Sequence, residues 1–262
     1  MAETTRPNLA IVTGAAGGIG RRIGERLIAA GYAVALWDSD GESVAHAARE
    51  LDPSGRVCVA TRCDVAAEDS VLAATEEAEE TFGPPYLLVN NAATRHRVPL
   101  EDLPRANWDR EIATNLTGAF QCTQTVGRRM LALARGVIVN VASISASFGQ
   151  PDRGAYSPSK AGLLGLTKLT AVEWGPRGIR CNAISPGMIV TPIHEIAYGD
   201  DALRRARERM VPLGRLGEPS DVADVVVFLA SDAARYVNGI NLPIDGGLAQ
   251  NLIALMPTPT RT

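Results

Sequence analysis

The chain has 262 residues, of which 46% are hydrophobic and 21% are charged, values typical of a globular protein. Its 26 Lys and Arg residues against 29 Asp and Glu residues give a formal net charge of −3, so the basic surplus typical of nucleic-acid-binding proteins is missing. No apolar run reaches the roughly 18 residues that a membrane-spanning helix needs. Because the polar start, residues 1–8, does not resemble a signal peptide either, we expect a cytoplasmic protein without membrane or nucleic-acid partners.

Short apolar runs alternate with helical patterns along the whole chain. Such runs predict strands over Leu9–Thr13, Ala33–Trp37, Arg56–Ala60, Tyr86–Asn90, Val137–Val141, Ile179–Ile184 and Ile240–Pro243. Strands that are apolar on both faces suit a parallel sheet covered by helices on both sides. The alternation therefore predicts an α/β fold with a doubly wound parallel sheet, the Rossmann fold, in a single domain over residues 1–262.

A glycine-rich turn follows the first predicted strand and precedes an amphipathic helix predicted over Ile19–Ala30. Glycines allow a tight turn and a close approach to a pyrophosphate, and the start of a helix presents free N–H groups to anions. The turn predicts a dinucleotide site formed by Gly14, Gly18, Ile19 and Gly20. An ordinary glycine turn is the alternative.

An acidic residue, Asp38, follows the second predicted strand, where a carboxylate accepts hydrogen bonds from the ribose of a dinucleotide. A carboxylate there repels the 2′-phosphate of NADP, and the next residue, Ser39, supplies no compensating cation. We therefore predict NAD as the cofactor. Alternatively, Asp38 caps the helix that follows.

Tyr156 and Lys160 are separated by one helical turn, so they lie on the same face of a helix. Pro158 between them is tolerated if the helix has just begun. A phenol with a pKa near ~10 is a poor base, but a neighbouring ammonium group favours the phenolate and brings Tyr156 toward the range of a general base. Ser143, just past the fifth predicted strand, is placed to hold a substrate oxygen. By itself, the Tyr/Lys pair is more typical of a packed tyrosine beside a surface lysine, but Ser143 and the glycine-rich turn in the same chain favour the catalytic interpretation.

These motifs together resemble the short-chain dehydrogenase/reductase family. The resemblance implies a catalytic set in which Asn115 joins Ser143, Tyr156 and Lys160 by holding a water, while Lys160 also binds the nicotinamide ribose. It further implies cofactor contacts by Asp64, Val65, Asn91, Tyr156, Lys160, Pro186, Gly187 and Thr191. Ala93 departs from the family pattern, which has glycine at this position.

The predicted function is an NAD-dependent oxidoreductase that transfers a hydride between the cofactor and a secondary alcohol or ketone, without a metal. The resemblance points to a small-molecule substrate such as a polyol, a sugar acid or a cyclic alcohol. A reductase of 3-oxoacyl thioesters on an acyl carrier protein is one alternative. A non-catalytic NAD-binding regulator is another.

Two further segments are expected to lie near the substrate. Residues 187–217 are predicted to form a lid that contains an amphipathic stretch, Ala202–Met210, whose arginines form a solvent-exposed face. The basic run Thr94–Arg97 either attracts a carboxylate or phosphate of the substrate or carries ordinary solvated charges.

The family resemblance implies a homo-oligomer, specifically a tetramer. Its interface would involve the helices predicted over Asn107–Leu133 and Gly154–Trp174, and the latter is more apolar than one buried face requires. The apolar tail Leu248–Met256 is predicted to pack on the lid or on a neighbouring subunit. We expect the four cysteines, Cys58, Cys63, Cys122 and Cys181, to be reduced packing residues.

Overall fold

Seven parallel strands form the centre of the protein, for which a computed structural model describes residues 7–191 and 200–251. The strands are β1 Leu9–Thr13, β2 Ala33–Asp38, β3 Cys58–Arg62, β4 Pro85–Asn90, β5 Gly136–Val141, β6 Ile179–Pro186 and β7 Asn241–Ile244. They are arranged in the order β3-β2-β1-β4-β5-β6-β7, and each neighbouring pair is parallel. The predicted doubly wound sheet of the Rossmann type is thus confirmed.

Helices cover both faces of the sheet. They are α1 Gly18–Ala29, α2 Gly41–Leu51, α3 Glu68–Phe82, α4 Arg105–Ile112, α5 Gly118–Ala132, α6 Tyr156–Trp174, α7 Asp201–Glu208 and α8 Pro219–Ala230. Neighbouring strand residues face opposite layers: Val12 packs in the cluster that contains residues of α1 and α8, whereas Ile11 packs with residues of α3 and α5. Burial on both faces explains why the strands are uniformly apolar.

The strand order reverses at β1, which lies between β2 and β4. In open α/β sheets such a reversal opens a crevice at the carboxyl ends of the strands, and ligands bind there. Thr13, Asn90 and Val141 end β1, β4 and β5 on this side. The residues that follow these three strands are therefore brought to a common edge of the sheet.

Several element boundaries differ from the sequence-based prediction. The third strand begins at Cys58 rather than Arg56, because the carboxylate of Asp52 accepts hydrogen bonds from the backbone N–H groups of Val57 (2.7 Å) and Cys58 (3.1 Å). The helix predicted over Asn107–Leu133 is divided into α4 and α5 by one π-helical turn, Ala113–Thr117. The division of this helix matters for the site, because the π-helical turn carries Asn115.

The segment predicted as a lid contains α7, whose first N–H groups are capped by the side chain of Asp200. Residues 192–199 of this segment lie outside the described residues, as do Leu252–Met256 of the predicted tail. The role of residues 187–217 as a lid stays a prediction.

The four cysteines are free and buried, as expected for packing residues. Within residues 7–191 and 200–251, the longest helices are too short or too polar to cross a membrane.

Candidate active site

The four glycines of the glycine-rich turn have two kinds of surroundings: two are closely packed and two face open space. Gly14 has φ +65°, and a Cβ placed on it would lie 2.7 Å from the Cα of Ala92. Gly20 is buried, and a Cβ on it would clash with the carbonyl oxygen of Gly14 and the side chain of Asn91. These two glycines therefore let α1 approach β1 and the segment after β4, and their contact with a cofactor stays a prediction.

The other two glycines face open space at the start of α1. Gly17 caps α1 without a side chain, and a Cβ on it would meet nothing within 4 Å. Gly18 has φ +54°, and only Thr191 comes near the position of a Cβ there. The first turn of α1 carries no acidic residue. Uncapped N–H groups and an open approach fit the pyrophosphate of a dinucleotide. Sequence analysis missed Gly17, although its place as a side-chain-free cap is the sign of such a cradle.

Asp38, at the end of β2, reaches back to this turn. One oxygen of its carboxylate accepts a hydrogen bond from the N–H of Ala16 (3.0 Å), and the other accepts one from the N–H of Asp40 (3.1 Å). The helix cap of α2 is Asp40, not Asp38, so the alternative role that we considered for Asp38 is wrong. The carboxylate is thus fixed beside the phosphate turn, where a ribose hydroxyl of a bound dinucleotide would lie.

Strand pairing brings an arginine beside Asp38 in the sheet. Arg62 of β3 is paired in register with Asp38, and its side-chain carbons pack against Gly41. Sequence analysis considered only the neighbours of Asp38 in the chain, whereas pairing between β2 and β3 brings Arg62 beside it in the sheet.

Thr13 and Asn91 hold the cofactor edge of the sheet together. The Thr13 hydroxyl oxygen accepts hydrogen bonds from the backbone N–H groups of Asn91 and Ala92, both 3.0 Å. The Asn91 side chain donates to the carbonyl oxygens of Thr13 (3.0 Å) and Gly14 (2.9 Å). The described non-glycine residues with positive φ are Ala134 and Asp152, so alanine at position 93 causes no left-handed strain.

Asp64 and Val65, predicted at the adenine end, follow β3. Asp64 is exposed, and its carboxylate accepts a hydrogen bond from the N–H of Ala66 (2.9 Å). Val65 is buried, and a Cβ on Gly118 would lie 2.7 Å from its methyl group. Close packing between Val65 and the start of α5 leaves Asp64 at the surface beside the predicted cofactor site.

Ser143 and Tyr156 are brought together at the carboxyl end of β5. Tyr156 is the first residue of α6, which explains why Pro158 is tolerated two residues later. Burial raises the pKa of Tyr156, whereas a hydrogen bond with the Ser143 side chain and the positive charges of Arg95 and Arg153 lower it. The hydroxyl of Ser143 also accepts a hydrogen bond from the N–H of Ser145 (3.1 Å), which fixes its position.

Lys160 lies one turn further along α6 and is 2% exposed. Its Nζ donates a hydrogen bond to the carbonyl oxygen of Val141 (2.7 Å) and lies 5.7 Å from the centre of the Tyr156 ring. Burial lowers the pKa of Lys160 to about 8. Arg95 and Arg153 also lower the pKa of Tyr156, and the expected contribution of Lys160 to that pKa stays a prediction.

Asn115 occupies the π-helical turn between α4 and α5, a kind of irregularity that is frequent at functional sites. Its side chain accepts a hydrogen bond from the N–H of Thr94 (2.8 Å) and donates to the Thr94 carbonyl (2.9 Å) and the Ser159 hydroxyl (3.0 Å). The Ser159 hydroxyl in turn donates to the carbonyl oxygen of Tyr156 (2.7 Å). Asn115 is thus connected to the Tyr156 segment through Ser159.

Pro186, Gly187 and Thr191 line the same edge after β6. A Cβ on Gly187 would lie 2.6 Å from the Cβ of Asp245, so only glycine fits against the loop after β7. Thr191 approaches Gly18 across the crevice. The predicted nicotinamide end therefore lies between the β6 loop and the start of α1.

One cavity of about 360 Å³ connects these groups. Its predicted cofactor side is lined by Ile19, Pro186, Gly187 and Thr191. Its predicted catalytic side is lined by Ser143 and Tyr156. Its volume is near the lower end of the range for small-molecule sites. Among the residues that the structure describes, no group of three His, Cys, Asp or Glu side chains is arranged to hold a metal ion.

The sequence profile of a family described as "Enoyl-(Acyl carrier protein) reductase" matches residues 14–249. D-threitol dehydrogenase of Mycolicibacterium smegmatis is 40% identical, over 91% of this chain and 92% of its own. The 3-oxoacyl-(acyl-carrier-protein) reductase of Staphylococcus epidermidis is 39% identical, over 91% and 98%. The crystal structure of levodione reductase superimposes with a TM-score of 0.86 at 34% identity, over 93% of this chain and 98% of that one.

The chain belongs to the short-chain dehydrogenase/reductase family. It is an oxidoreductase that uses a nicotinamide cofactor and acts on a secondary alcohol or ketone. For this short-chain dehydrogenase/reductase, sequence analysis had left open whether the Tyr/Lys spacing was only a packing pattern. Tyr156 and Ser143 lie together at the cavity wall, and Lys160 is buried rather than at the surface, which argues against that alternative.

One charged residue near the site was not foreseen. Glu111 of α4 is fully buried, and its carboxylate accepts a hydrogen bond from the N–H of His96 and lies 2.9 Å from His96 Nδ1. Sequence analysis gave Glu111 no role because a single carboxylate in a helical pattern usually indicates an exposed face.

Proposed function

We propose that this protein is an NAD-dependent dehydrogenase that oxidises a small, hydroxylated secondary alcohol, with Asn115, Ser143, Tyr156 and Lys160 as its catalytic set. One observation carries the proposal: a single cavity is lined both by Ser143 and Tyr156 and by Ile19 and Thr191 beside the glycine cradle. A substrate hydroxyl at Ser143 is thereby close to the place where the nicotinamide would lie.

In the proposed reaction the cofactor takes the hydride, and the side chains of the protein bind the substrate oxygen and take its proton. When bound, NAD supplies the acceptor for the hydride that leaves the carbinol carbon. Ser143 holds the oxygen of the substrate through its hydroxyl, while the oxygen of Tyr156 takes the hydroxyl proton. In the reverse direction, Tyr156 returns a proton to the carbonyl oxygen.

Lys160 completes the proton path. Because burial lowers its pKa to about 8, Lys160 exchanges a proton readily near neutral pH. Asn115 positions the beginning of α6 through its hydrogen bond with Ser159. Uncapped N–H groups at Gly17 and Gly18 would hold the pyrophosphate, and Asp38 would accept hydrogen bonds from the adenosine ribose.

The preference for NAD is part of the proposal. It is supported by Asp38, whose carboxylate is fixed at the turn by the N–H of Ala16 and would repel a 2′-phosphate. The name of the D-threitol dehydrogenase relative supports a polyol substrate, and that of levodione reductase supports a cyclic ketone.

A screen of oxidation with NAD tests the proposal. We would follow reduced-nicotinamide absorbance with threitol and other polyols, hydroxy acids and cyclic alcohols, and follow the reverse reaction with a 3-oxoacyl thioester and either reduced cofactor. A secondary alcohol oxidised with NAD supports the proposal. Turnover of the thioester alone would favour the carrier-protein reductase, the activity in the name of the Staphylococcus relative. Tight NAD binding with no turnover of either class would favour a non-catalytic regulator.

We also propose that the protein assembles with copies of itself in the cytoplasm, as a tetramer. Val172 of α6 is 76% exposed, Leu169 is 54% exposed and Phe120 of α5 is 46% exposed. Apolar side chains on two neighbouring helices support an interface with a second copy. The four buried free thiols support a reducing compartment.

A further inference from the structure

The cavity beside Tyr156 is lined by four arginines: Arg95, Arg97, Arg153 and Arg207. None of the described residues that line it is acidic. The chain as a whole has a formal net charge of −3, so the charge of the cavity is opposite in sign to that of the protein. Positive charge concentrated in a small cleft raises the local concentration of anions.

The four arginines come from three separate segments. Arg95 and Arg97 belong to the loop after β4, Arg153 to the loop before α6, and Arg207 to α7. A basic stripe on one exposed helix is normally a solvated face, but here arginines distant in sequence converge on one cavity. On α7 itself, Arg204 pairs with Glu208 at 3.0 Å, whereas Arg207 is at the cavity. The expectation that all the arginines of this helix form a solvent-exposed face is therefore wrong for Arg207.

The loop after β4 is fixed by hydrogen bonds at two alternate residues, Thr94 and His96. Asn115 binds both backbone polar groups of Thr94, and the buried carboxylate of Glu111 binds the N–H and the ring of His96. Arg95 and Arg97, between and after these two anchors, line the cavity. A loop fixed in this way loses little conformational entropy when its arginines bind a ligand.

The arginines are also near the reacting position. Arg95 and Arg153 are close enough to Tyr156 to lower the pKa of its phenol. The cavity measures about 360 Å³, and part of it is bordered by the predicted nicotinamide contacts Ile19 and Thr191. Only a short molecule can place one end against Tyr156 and the other among the guanidinium groups.

We propose that the substrate is a small hydroxy acid whose carboxylate is bound by Arg95, Arg153 and Arg207 while its hydroxyl contacts Ser143 and Tyr156. This inference rests on the proposed function and names its substrate class. Guanidinium groups bind carboxylates through paired, charge-assisted hydrogen bonds. The hydroxy acid loses a hydride from its carbinol carbon to NAD and the hydroxyl proton to Tyr156, and it leaves as the oxo acid while NAD becomes NADH.

Arg95, Arg153 and Arg207 each also interact with other groups of the protein. The inference therefore depends on the excess of positive charge around the cavity and on its convergence from three segments.

The test compares acids with their neutral amides of nearly identical shape. We would measure kcat and KM with NAD for 3-hydroxybutyrate, gluconate and 4-hydroxycyclohexanecarboxylate, each beside its carboxamide. We expect kcat/KM to be at least about tenfold higher for the acid of the preferred pair, as one charge-assisted contact provides. Arg207→Gln should remove most of this difference, mainly by raising KM for the acid, and should change kcat/KM for the amide less than about threefold. Arg153→Gln should also reduce the acid-to-amide ratio, but because Arg153 lowers the pKa of Tyr156, it should change the pH profile of kcat for both substrates.

Arg204→Gln is the matched control, because it removes an arginine from the same helix but from an exposed ion pair. Arg204→Gln should leave the acid-to-amide ratio unchanged. Binding is measured separately by calorimetry with the unreactive cyclohexanecarboxylate and cyclohexanecarboxamide, added to the protein saturated with NADH. Only the carboxylate should bind, and Arg153→Gln should weaken it.

The outcomes separate this inference from the proposed function. Equal efficiency for acid and amide, or equal loss for both in Arg207→Gln, would overturn the carboxylate assignment while NAD-dependent oxidation stands. A clear preference for glycerol 3-phosphate over every hydroxy acid would also overturn it, since the anion would then be a phosphate. Carboxylate binding without oxidation of any alcohol would retain the anion site and contradict the proposed function.

Discussion

The ammonium group of Lys160 donates a hydrogen bond of 2.7 Å to the carbonyl oxygen of Val141 in the interior of the protein. This contact joins α6 to the end of β5 and places a titratable group where water does not reach. Burial lowers the pKa of Lys160 to about 8 from its ordinary value of 10.5. The protein thus maintains a costly buried charge at neutral pH, as is common at functional sites.

The free-energy cost of burying the Lys160 charge should appear in the pH dependence of the stability of the protein without cofactor. Between about pH 8 and pH 10.5 the unfolded chain retains the Lys160 proton that the folded chain has released, so this group makes stability increase as pH rises across that window. Below pH 8 both states are protonated, and the full penalty is present. We expect Lys160→Met to be more stable than wild type at pH 7, by up to about 3 kcal/mol, with the advantage shrinking toward pH 10.5.

Urea titrations of both proteins at several pH values measure this. Lys168→Met, on the same helix but at an exposed position, should show no such pH-dependent difference. An advantage of Lys160→Met that stays constant from pH 7 to pH 10.5 would contradict the lowered pKa.

Tyr156→Phe should reduce kcat by about 10²–10⁴-fold and leave NAD binding within about threefold of wild type, because the ring remains while the exchangeable proton is lost. Steady-state kinetics and calorimetric NAD titration measure the two effects. Tyr86→Phe, which removes a hydroxyl that contacts the Ala230 carbonyl far from the cavity, is the control. A Tyr156→Phe protein that keeps more than a tenth of the activity would refute the acid/base assignment.

Asp38→Ala should reduce the preference for NAD over NADP, which we expect to be at least about tenfold in kcat/KM for wild type. Removing the carboxylate ends its repulsion of the 2′-phosphate, and Arg62, in register with position 38 on β3, is then available to bind that phosphate. Adding Arg62→Ala should therefore reduce NADP efficiency again.

Asp40→Ala is the matched control for cofactor choice. It removes the cap of α2, with an expected loss of about 1 kcal/mol in stability, but should not change the cofactor ratio. Equal kcat/KM for NAD and NADP in the wild-type protein would contradict the role of Asp38.

The four thiols should be unreactive in the folded protein. Burial raises the pKa of Cys58 and Cys181 to about 12 and that of Cys63 to about 11, and it raises the pKa of Cys122 as well. Because the thiolate is the reactive form, Ellman's reagent at pH 8 should detect none of the four within minutes, and all four after denaturation. Rapid modification of the native protein would show that one of these sites opens.

Val172→Glu should weaken assembly, because it places a charge in the apolar face of α6 that we assign to a contact with a second copy. Size exclusion with light scattering should show a smaller species for Val172→Glu than for wild type. Leu72→Glu, at a 40% exposed position on α3, should leave the mass unchanged. A monomeric wild type at micromolar concentration would refute the assembly proposal and leave the proposed chemistry intact.

Local patterns in the sequence determined the strands, the glycine-rich turn and the common helix face of Tyr156 and Lys160. Apolar runs, glycines and i, i+4 spacing specify the conformation of the residues that carry them, so these features are predictable without knowledge of distant neighbours. Even the placement of Ser143 at a strand end followed from the rule for parallel sheets.

Tertiary structure alone decided which charges surround the site. Strand register placed Arg62 opposite Asp38, and the convergence of three segments placed Arg95, Arg153 and Arg207 around one cavity. It also directed Lys160 to the Val141 carbonyl and made Glu111 a buried anchor for His96. These contacts join residues far apart in sequence, and they depend on strand order, register and packing depth. Coulombic and desolvation energies follow distance and burial in space, which local periodicity does not encode.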